Sequence, residues 1–292
     1  MKQQFPRIIF LVFLYFIANT LFAKSTDLSG ESYYGSKDTL KKAVLGWHFG
    51  VNIGMYFANK QSASFYNGSG ENSVYRTIIE NTYINDAIKQ TLHYNFSFDS
   101  TSLPQNMKYT PTINFGFLAG YNFQKNAGII IEFDYSKLKA NDYFTLQIDS
   151  FNSTSEPSNK KFSITGTEER ININIGIHRT FGKLSKAMPY INAGININNV
   201  KLLENRIQIE SLSYSIVNPT NSYYNIVQGG LGFGIMGGAG LQFILGQSMI
   251  VDIGGNIYYS KINLGNDPRF ALHESVYLRF MLRNFGKSSE EN

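Results

Sequence analysis

Apolar and polar residues alternate with a period of two along eight segments of the chain. In the first segment every second residue from Trp47 to Phe57 is apolar, whereas the residues between them include His48 and Asn52. This is the pattern of a β-strand with one apolar face, and the segments are close to the roughly 9–11 residues that a tilted strand needs to cross a bilayer. The pattern predicts strands at residues 47–57, 113–123, 129–136, 170–178, 191–198, 230–243, 249–258 and 275–283.

The connections between these segments alternate between long and short. The long ones occupy residues 58–111, 137–169 and 201–228, with a medium one at 261–271, and the short ones occupy 124–127, 182–188 and 245–248. The ends of the segment at 137–169 are candidates for extending the two strands that flank it. Such asymmetry is typical of outer-membrane barrels, which have long extracellular loops and short periplasmic turns. The sequence thus predicts an all-β fold, an eight-stranded antiparallel transmembrane β-barrel over residues 45–285.

Periodicity alone does not say which face of the sheet points outward. A soluble periplasmic barrel that binds a ligand would alternate in the same way, with its apolar face inside, and it stays as an alternative. The polar face here consists mostly of Gly and Asn instead of Lys and Glu, which suits a narrow lumen better than a water-facing surface. Two aromatic belts at the lipid interfaces are also predicted. Their members are Trp47, Phe123, Phe181, Tyr190, Phe243 and Phe285 at the short-turn ends, and Phe57, Tyr109, Tyr135, Tyr259 and Phe270 near the long-loop ends.

The N-terminal segment has the features of an export signal. Lys2 and Arg7 precede an apolar run over residues 8–22 that ends at Ala23, the arrangement of a cleavable secretory signal peptide. The expected organisation is a signal peptide at 1–23, a polar periplasmic arm at 24–44, the barrel at 45–285 and a polar tail at 286–292.

The composition excludes several other classes. The chain of 292 residues contains no Cys, so it has no disulfide scaffold and no thiolate metal site. Charged residues are only 16% and aromatic residues 15%, which argues against disorder. The net charge of +5 is scattered, with no cluster beyond the pairs at 41–42 and 160–161. No nucleic-acid partner is therefore expected.

Six charged residues fall on the predicted lumen face. Three acids and three bases in a narrow interior should pair, since an unpaired buried charge is very costly. We expect a packed polar network instead of an ion-selective pore, and poor conduction. The six residues are Glu132, Asp134, Arg170, Asp252, Arg279 and Arg283.

Candidate catalytic chemistry is confined to one short motif. His273 and Ser275 lie two residues apart on one face of the last strand, a spacing that resembles lipid A deacylases, which are also eight-stranded outer-membrane barrels. Those enzymes act from the lipid-facing surface, whereas His273 and Ser275 fall on the lumen face. The chain is therefore not expected to be an enzyme, and no catalytic, metal or cofactor-binding residue is predicted. A membrane-embedded lipid-modifying enzyme stays as the alternative.

Residues 73–92 in the first long loop show helical spacing instead of alternation. Val74, Ile78, Ile88 and Leu92 recur at intervals of about a helical turn. The segment predicts a short amphipathic helix that either covers the barrel mouth or contacts a partner.

The signal, the polar arm and the eight alternating strands over residues 45–285 resemble the PorT-type outer-membrane β-barrel proteins of Bacteroidota. The resemblance implies residence in the outer membrane and, by analogy with some members, an accessory role in envelope or secretion machinery. The partners expected are outer-membrane lipid and lipopolysaccharide, the barrel assembly machinery during biogenesis, and a protein at the extracellular loops. One departure is that Phe285 is out of phase with Leu282, which leaves the register of the last residues, and the inward position of Arg283, open.

Overall fold

The computed structural model describes residues 45–124, 126–149, 157–181, 187–218, 228–245, 249–265 and 268–283. The predicted signal peptide, arm and tail, together with Phe285, lie outside these residues. No helix in the described part has the length and apolar character needed to cross a membrane.

Eight long antiparallel strands and three short ones form a single sheet. In chain order the elements are β1 Gly46–Phe57, α1 Lys60–Ala63, α2 Thr82–Leu92, β2 Phe96–Ser97, β3 Lys108–Tyr109, β4 Thr112–Gln124, β5 Ala127–Ile148, β6 Ser158–Thr180, β7 Ala187–Ile209, β8 Leu212–Ser215, β9 Gly229–Leu245, β10 Met249–Ile262 and β11 Arg269–Arg283. The long strands pair in the order β1-β4-β5-β6-β7-β9-β10-β11, and β11 pairs back to β1. The ring is closed, which confirms the predicted eight-stranded barrel.

The stagger of the strands sets the width of the interior. Register partners of Ile53 followed through β4, β5, β6 and β7 arrive at Leu231 of β9. Followed the other way, through β11 and β10, they arrive at Leu241 of the same strand. This offset of ten residues corresponds to strands tilted by about 40°, and an eight-stranded barrel of that kind is just wide enough for its own side chains.

The outer surface of the ring is an apolar band. Large apolar side chains point outward on every long strand, among them Phe117, which is 65% exposed, and Leu231, which is 71% exposed. From Trp47 to Phe57 on β1 the band is about 25 Å high, at an axial rise of about 2.5 Å per tilted residue. That matches the apolar band of membrane barrels.

Most of the predicted belt aromatics that the structure describes lie at the edges of this band, but two belt assignments are wrong. Tyr190 is buried inside the lumen, because it shares the face of Asn192 and Gly194 on β7. Tyr109 is buried in the first long loop. Neither side chain is therefore available to a lipid interface.

Three strands continue far beyond the apolar band. The two ends of the connection at 137–169 do extend the flanking strands, whereas the loop predicted at 201–228 is wrong over its first nine residues. Residues 137–148 of β5, 158–169 of β6 and 200–209 of β7 are strand. We call these three segments the extension. Alternation persists within it, but the buried face becomes apolar: on β5, Glu132, Asp134 and Ser136 are followed in the same phase by Leu138 and Ala140.

Residues 58–111 fold against the inner face of the extension and cover the mouth of the barrel. We call this segment the cap. Its second helix begins where the Asn81 side chain accepts a hydrogen bond from the Ile84 backbone N–H, and ends at His93, which has φ of 61°. The single helix predicted within 73–92 is interrupted at Asn81, which separates a π-helical turn at Arg76–Glu80 from α2. The apolar side chains of both parts are buried against the extension. Cap and extension share a core of Tyr66, Val74, Ile78, Ile88, Leu92, Phe96, Leu103, Met107, Leu138, Phe144, Leu146, Ile148, Phe162, Ile164, Val200, Leu202, Ile207 and Ile209.

Candidate functional site

The lumen, in which the sequence places six charged residues, is crossed by an ion pair at mid-height. Arg279 of β11 pairs with Glu132 of β5, three strands away around the ring, and both side chains are fully buried. Asp134 accepts a hydrogen bond from the Asn52 amide at 2.6 Å, and the Asn174 amide lies 3.3 Å from both carboxylates. The pair therefore ties two well-separated parts of the barrel wall together.

Asparagine side chains extend this network around the wall. The Asn196 amide donates to Asn174 at 2.8 Å and to Asn172 at 3.3 Å, and the Asn192 amide donates to Asn256 at 3.3 Å. An amide both donates and accepts, so it can link neighbours in a chain without adding charge. This accounts for an inner face that is rich in Asn.

Glycines on the inner face make room for large side chains. The Tyr190 and Tyr277 hydroxyls, from β7 and β11, lie 2.9 Å apart across the lumen. A Cβ atom at Gly240 would lie within 2.7 Å of the Tyr190 ring, and one at Gly254 would approach both hydroxyls. The glycine runs of β9 therefore serve close packing within a strand.

The short-turn end of the lumen holds the remaining charges. Asp252 is fully buried, and Arg283 is buried opposite His48 in the β1–β11 register, so Arg283 faces inward. His48, His178 and Asp252 line a cavity of about 10 Å³, which is about the volume that one water molecule requires. The described side chains thus leave no wide passage at this end.

At the cap end, Arg170 has a partner that the sequence reading did not include. Its Nε donates to Glu168 at 2.5 Å, and both side chains are fully buried. Glu168 lies within the long connection predicted at 137–169. The sequence does contain an indication of this pair, because Glu168 and Arg170 are two residues apart and so share one face of a strand.

This buried ion pair holds the cap. The Tyr66 and Tyr109 hydroxyls donate to the same Glu168 oxygen at 2.5 and 2.8 Å, and Arg170 donates to Ser62 at 3.1 Å. All three partners belong to the cap. Burial, and secondarily the Glu168 charge, raises the pKa of both tyrosines well above 10, so they remain neutral donors at ordinary pH.

The structure directs His273 and Ser275 to separate partners. His273 Nδ1 accepts from the Asn59 backbone N–H at 3.1 Å and lies 3.3 Å from Arg170. The Ser275 hydroxyl lies 3.2 Å from that of Tyr258. A nucleophile needs its base within hydrogen-bond reach, and these contacts do not provide that. In the described residues, no group of three His, Asp or Glu side chains is arranged to hold a metal.

The outer side of the cap presents aromatic residues to solvent. Tyr83 on α2 is 83% exposed, and Tyr75 and Tyr94 are also exposed. A separate cleft of about 410 Å³ lies between the cap and the connection from β10 to β11, with Phe65 and Leu264 in its lining. The ordered surface that the chain offers at this end is therefore large and amphipathic.

A closed ring with an apolar outer band and a lumen filled by buried polar side chains has the reverse polarity of a soluble barrel. The chain has the fold of an outer-membrane β-barrel. The predicted soluble alternative, with its apolar face inside, is not the arrangement observed over the height of the band.

Comparison with solved structures finds small outer-membrane barrels at low identity. Neisserial surface protein A aligns over 81% of this chain and 96% of its own, with 9% identity and a TM-score of 0.41. OprG from Pseudomonas aeruginosa aligns over 82% and 94%, with 9% identity and a TM-score of 0.36. Ail of Yersinia pestis aligns over 82% and 97%, with 12% identity and a TM-score of 0.33. No protein-family model and no curated protein sequence matches the chain.

Proposed function

We propose that the protein is an outer-membrane β-barrel of a Gram-negative cell that acts as a structural or interaction module and not as a wide pore. The observation that carries this proposal is the closure of the lumen. One ion pair crosses it at mid-height, a second is buried on β6 beneath the cap, and the cap covers the mouth. A barrel filled in this way is rigid, and the surface it has to offer is the one that its cap and extension present outside the membrane.

We further propose that the extracellular surface binds a protein of the envelope or secretion machinery. The resemblance to PorT-type barrels supports this role, as do the exposed tyrosines of the cap, because aromatic residues are enriched at protein interfaces. The proposal also includes lipopolysaccharide as the surrounding lipid and the assembly machinery as a partner during biogenesis.

Membrane residence and orientation can be tested on whole cells with an epitope tag inserted at Gly70, an exposed position where an added Cβ meets nothing within 4 Å. We expect a heat-modifiable band in the envelope fraction, labelling of the tag on intact cells, and recovery of a discrete protein partner with the tag. Recovery in the periplasmic extract would contradict membrane residence. Labelling only after permeabilisation would contradict the orientation.

We also propose that the chain has no catalytic role. The test is cleavage of lipid A or phospholipid by the purified protein and by His273→Ala. Neither is expected to show activity above a detergent blank. Any cleavage that depends on His273 would establish the lipid-modifying alternative instead.

A further inference from the structure

Lysine side chains begin on the outer surface where the apolar band ends. On β5 the outward residues change from Phe133 and Tyr135 to Lys137 and Lys139, both of which are exposed. Lys108 of β3 is exposed beside them, because β3 pairs with β5 at Asn141. At about 2.5 Å of axial rise per residue, the three lysines lie roughly 5 to 15 Å above Tyr135, the last outward aromatic residue of the band on β5.

These lysines are weakly compensated by nearby acids. The salt bridges of the described residues do not include Lys108, Lys137 or Lys139. Glu169 is the cross-strand neighbour of Lys137, and its carboxylate accepts a hydrogen bond from Tyr135 at 2.9 Å. Lys201 lies in register on the other side of Glu169, so the group of four lysines still exceeds its neighbouring acid by three charges.

The lysines are concentrated on one side of the barrel. On the opposite side, the outward residues at the upper edge of the band are Phe233, Tyr259 and Leu272. A single lysine, Lys261, follows Tyr259 on β10, and the nearby acid Glu274 is exposed. A general attraction to an anionic surface would not require this asymmetry. It suits a ligand that sits against β3 and β5, with acyl chains on the apolar band and negative charge directly above.

We infer that Lys108, Lys137 and Lys139 bind the phosphate groups of a lipid A molecule in the outer leaflet, an inference that rests on the proposed location in the outer membrane. Lipid A carries its phosphates on a sugar headgroup immediately above its acyl chains. Lysine is a compact point charge that suits phosphate oxygens. Each lysine at a membrane surface changes the affinity for an anionic lipid by about fivefold.

The test is a binding titration of fluorescent lipid A against the purified full-length protein in neutral detergent. Three lipids are compared: bisphosphorylated lipid A, the same lipid A after enzymatic dephosphorylation, and phosphatidylglycerol. The test variant is Lys137→Gln/Lys139→Gln. The matched control is Lys160→Gln/Lys161→Gln, which removes the same charge from exposed residues near the far end of the extension, where Lys160 lies 3.9 Å from Glu210.

We expect the native protein to prefer bisphosphorylated lipid A over the other two lipids. The test variant should lose about thirtyfold in affinity for it, and the control should bind like the native protein. Equal binding of dephosphorylated lipid A or of phosphatidylglycerol would overturn the inference. So would native affinity in the test variant, or equal losses in both variants.

The two proposals fail in different ways. If the test variant is heat-modifiable and found in the envelope but keeps its affinity for lipid A, only the lipid site is refuted. If the native protein is recovered in the periplasmic extract, the proposed membrane location is itself wrong.

Discussion

Replacing Glu168 by glutamine is expected to loosen the cap while leaving the barrel beneath it folded. In the native protein the Glu168 carboxylate accepts hydrogen bonds from Arg170, Tyr66 and Tyr109. Glutamine keeps the shape and one acceptor oxygen but removes the negative charge. The Arg170 guanidinium, which is fully buried, is then left without its counter-ion.

The size of the effect follows from that burial. Removing one partner of a buried ion pair destabilises by about 3–5 kcal/mol, because the remaining charge is neither solvated nor compensated. Here the cost should fall on the opening of the cap, since Tyr66, Tyr109 and Ser62 all belong to it. The opening equilibrium should therefore rise by about two to four orders of magnitude.

Hydrogen exchange measured by mass spectrometry in nanodiscs can locate this change. Amides of α2 and Thr110, whose N–H donates to the Lys139 carbonyl at 2.9 Å, should exchange faster by that factor. Amides of β4 and β11 should be unchanged. Lys160→Gln is the control, because its exposed pair with Glu210 should contribute no more than about 1 kcal/mol.

A second variant tests whether the uncompensated Arg170 charge causes the faster exchange in the cap. Glu168→Gln/Arg170→Met removes both charges and should recover much of the lost protection, because a neutral buried site costs less than a lone ion. If the single variant exchanges within about tenfold of the native protein, the ion pair does not hold the cap. The same conclusion holds if the double variant is as open as the single one.

Three further outcomes are expected. The purified protein should show no steady large single-channel currents in planar bilayers, and such currents would refute the closed lumen. Gly240→Val should reduce the heat-modifiable folded fraction, since the added side chain would overlap the Tyr190 ring at an overpacking cost of about 1–3 kcal/mol or more, whereas Gly70→Val should fold normally. Tyr66 and Tyr109 have a pKa raised above 10. The hydrogen bonds that their neutral hydroxyls donate to Glu168 therefore stabilise the cap fully below pH 10, and this stabilisation is lost as the pH rises further. At pH 10 the 295 nm absorbance should be the same in the native protein and in Tyr66→Phe/Tyr109→Phe, and a deficit in the variant equal to two half-ionised tyrosines would contradict this.

The strands within the apolar band could be predicted because one period and one phase persist through them. The extension could not be predicted by the same rule. At Leu138 of β5 the period of two continues, but the apolar residues move to the other face of the strand. A rule that follows outward apolar residues therefore ends the strand at this point. The later alternation of Phe144, Leu146 and Ile148 was a readable signal of strand with the opposite phase.

The cap-end network was missed for the same reason. Once residues 137–169 are treated as a loop, Glu168 has no assigned face and Arg170 has no visible partner. The tyrosines of the cap that complete the network lie about 60 and 100 residues away in sequence, and no local pattern relates them to it. By contrast, the helical spacing within residues 73–92 is local, and the helical face that it predicted is buried in the cap.

The change of face at Leu138 also determines how deeply the barrel can insert. Below it, an outward polar residue would meet hydrocarbon; above it, an outward position such as Lys139 requires water or headgroups. Deeper insertion by one residue pair would bring lysines toward the edge of the hydrocarbon, at a cost of up to about 1 kcal/mol each. Shallower insertion would expose outward apolar side chains to water. The strands that hold the cap above the surface thus also fix its height, and a membrane of different thickness would have to adapt to the protein.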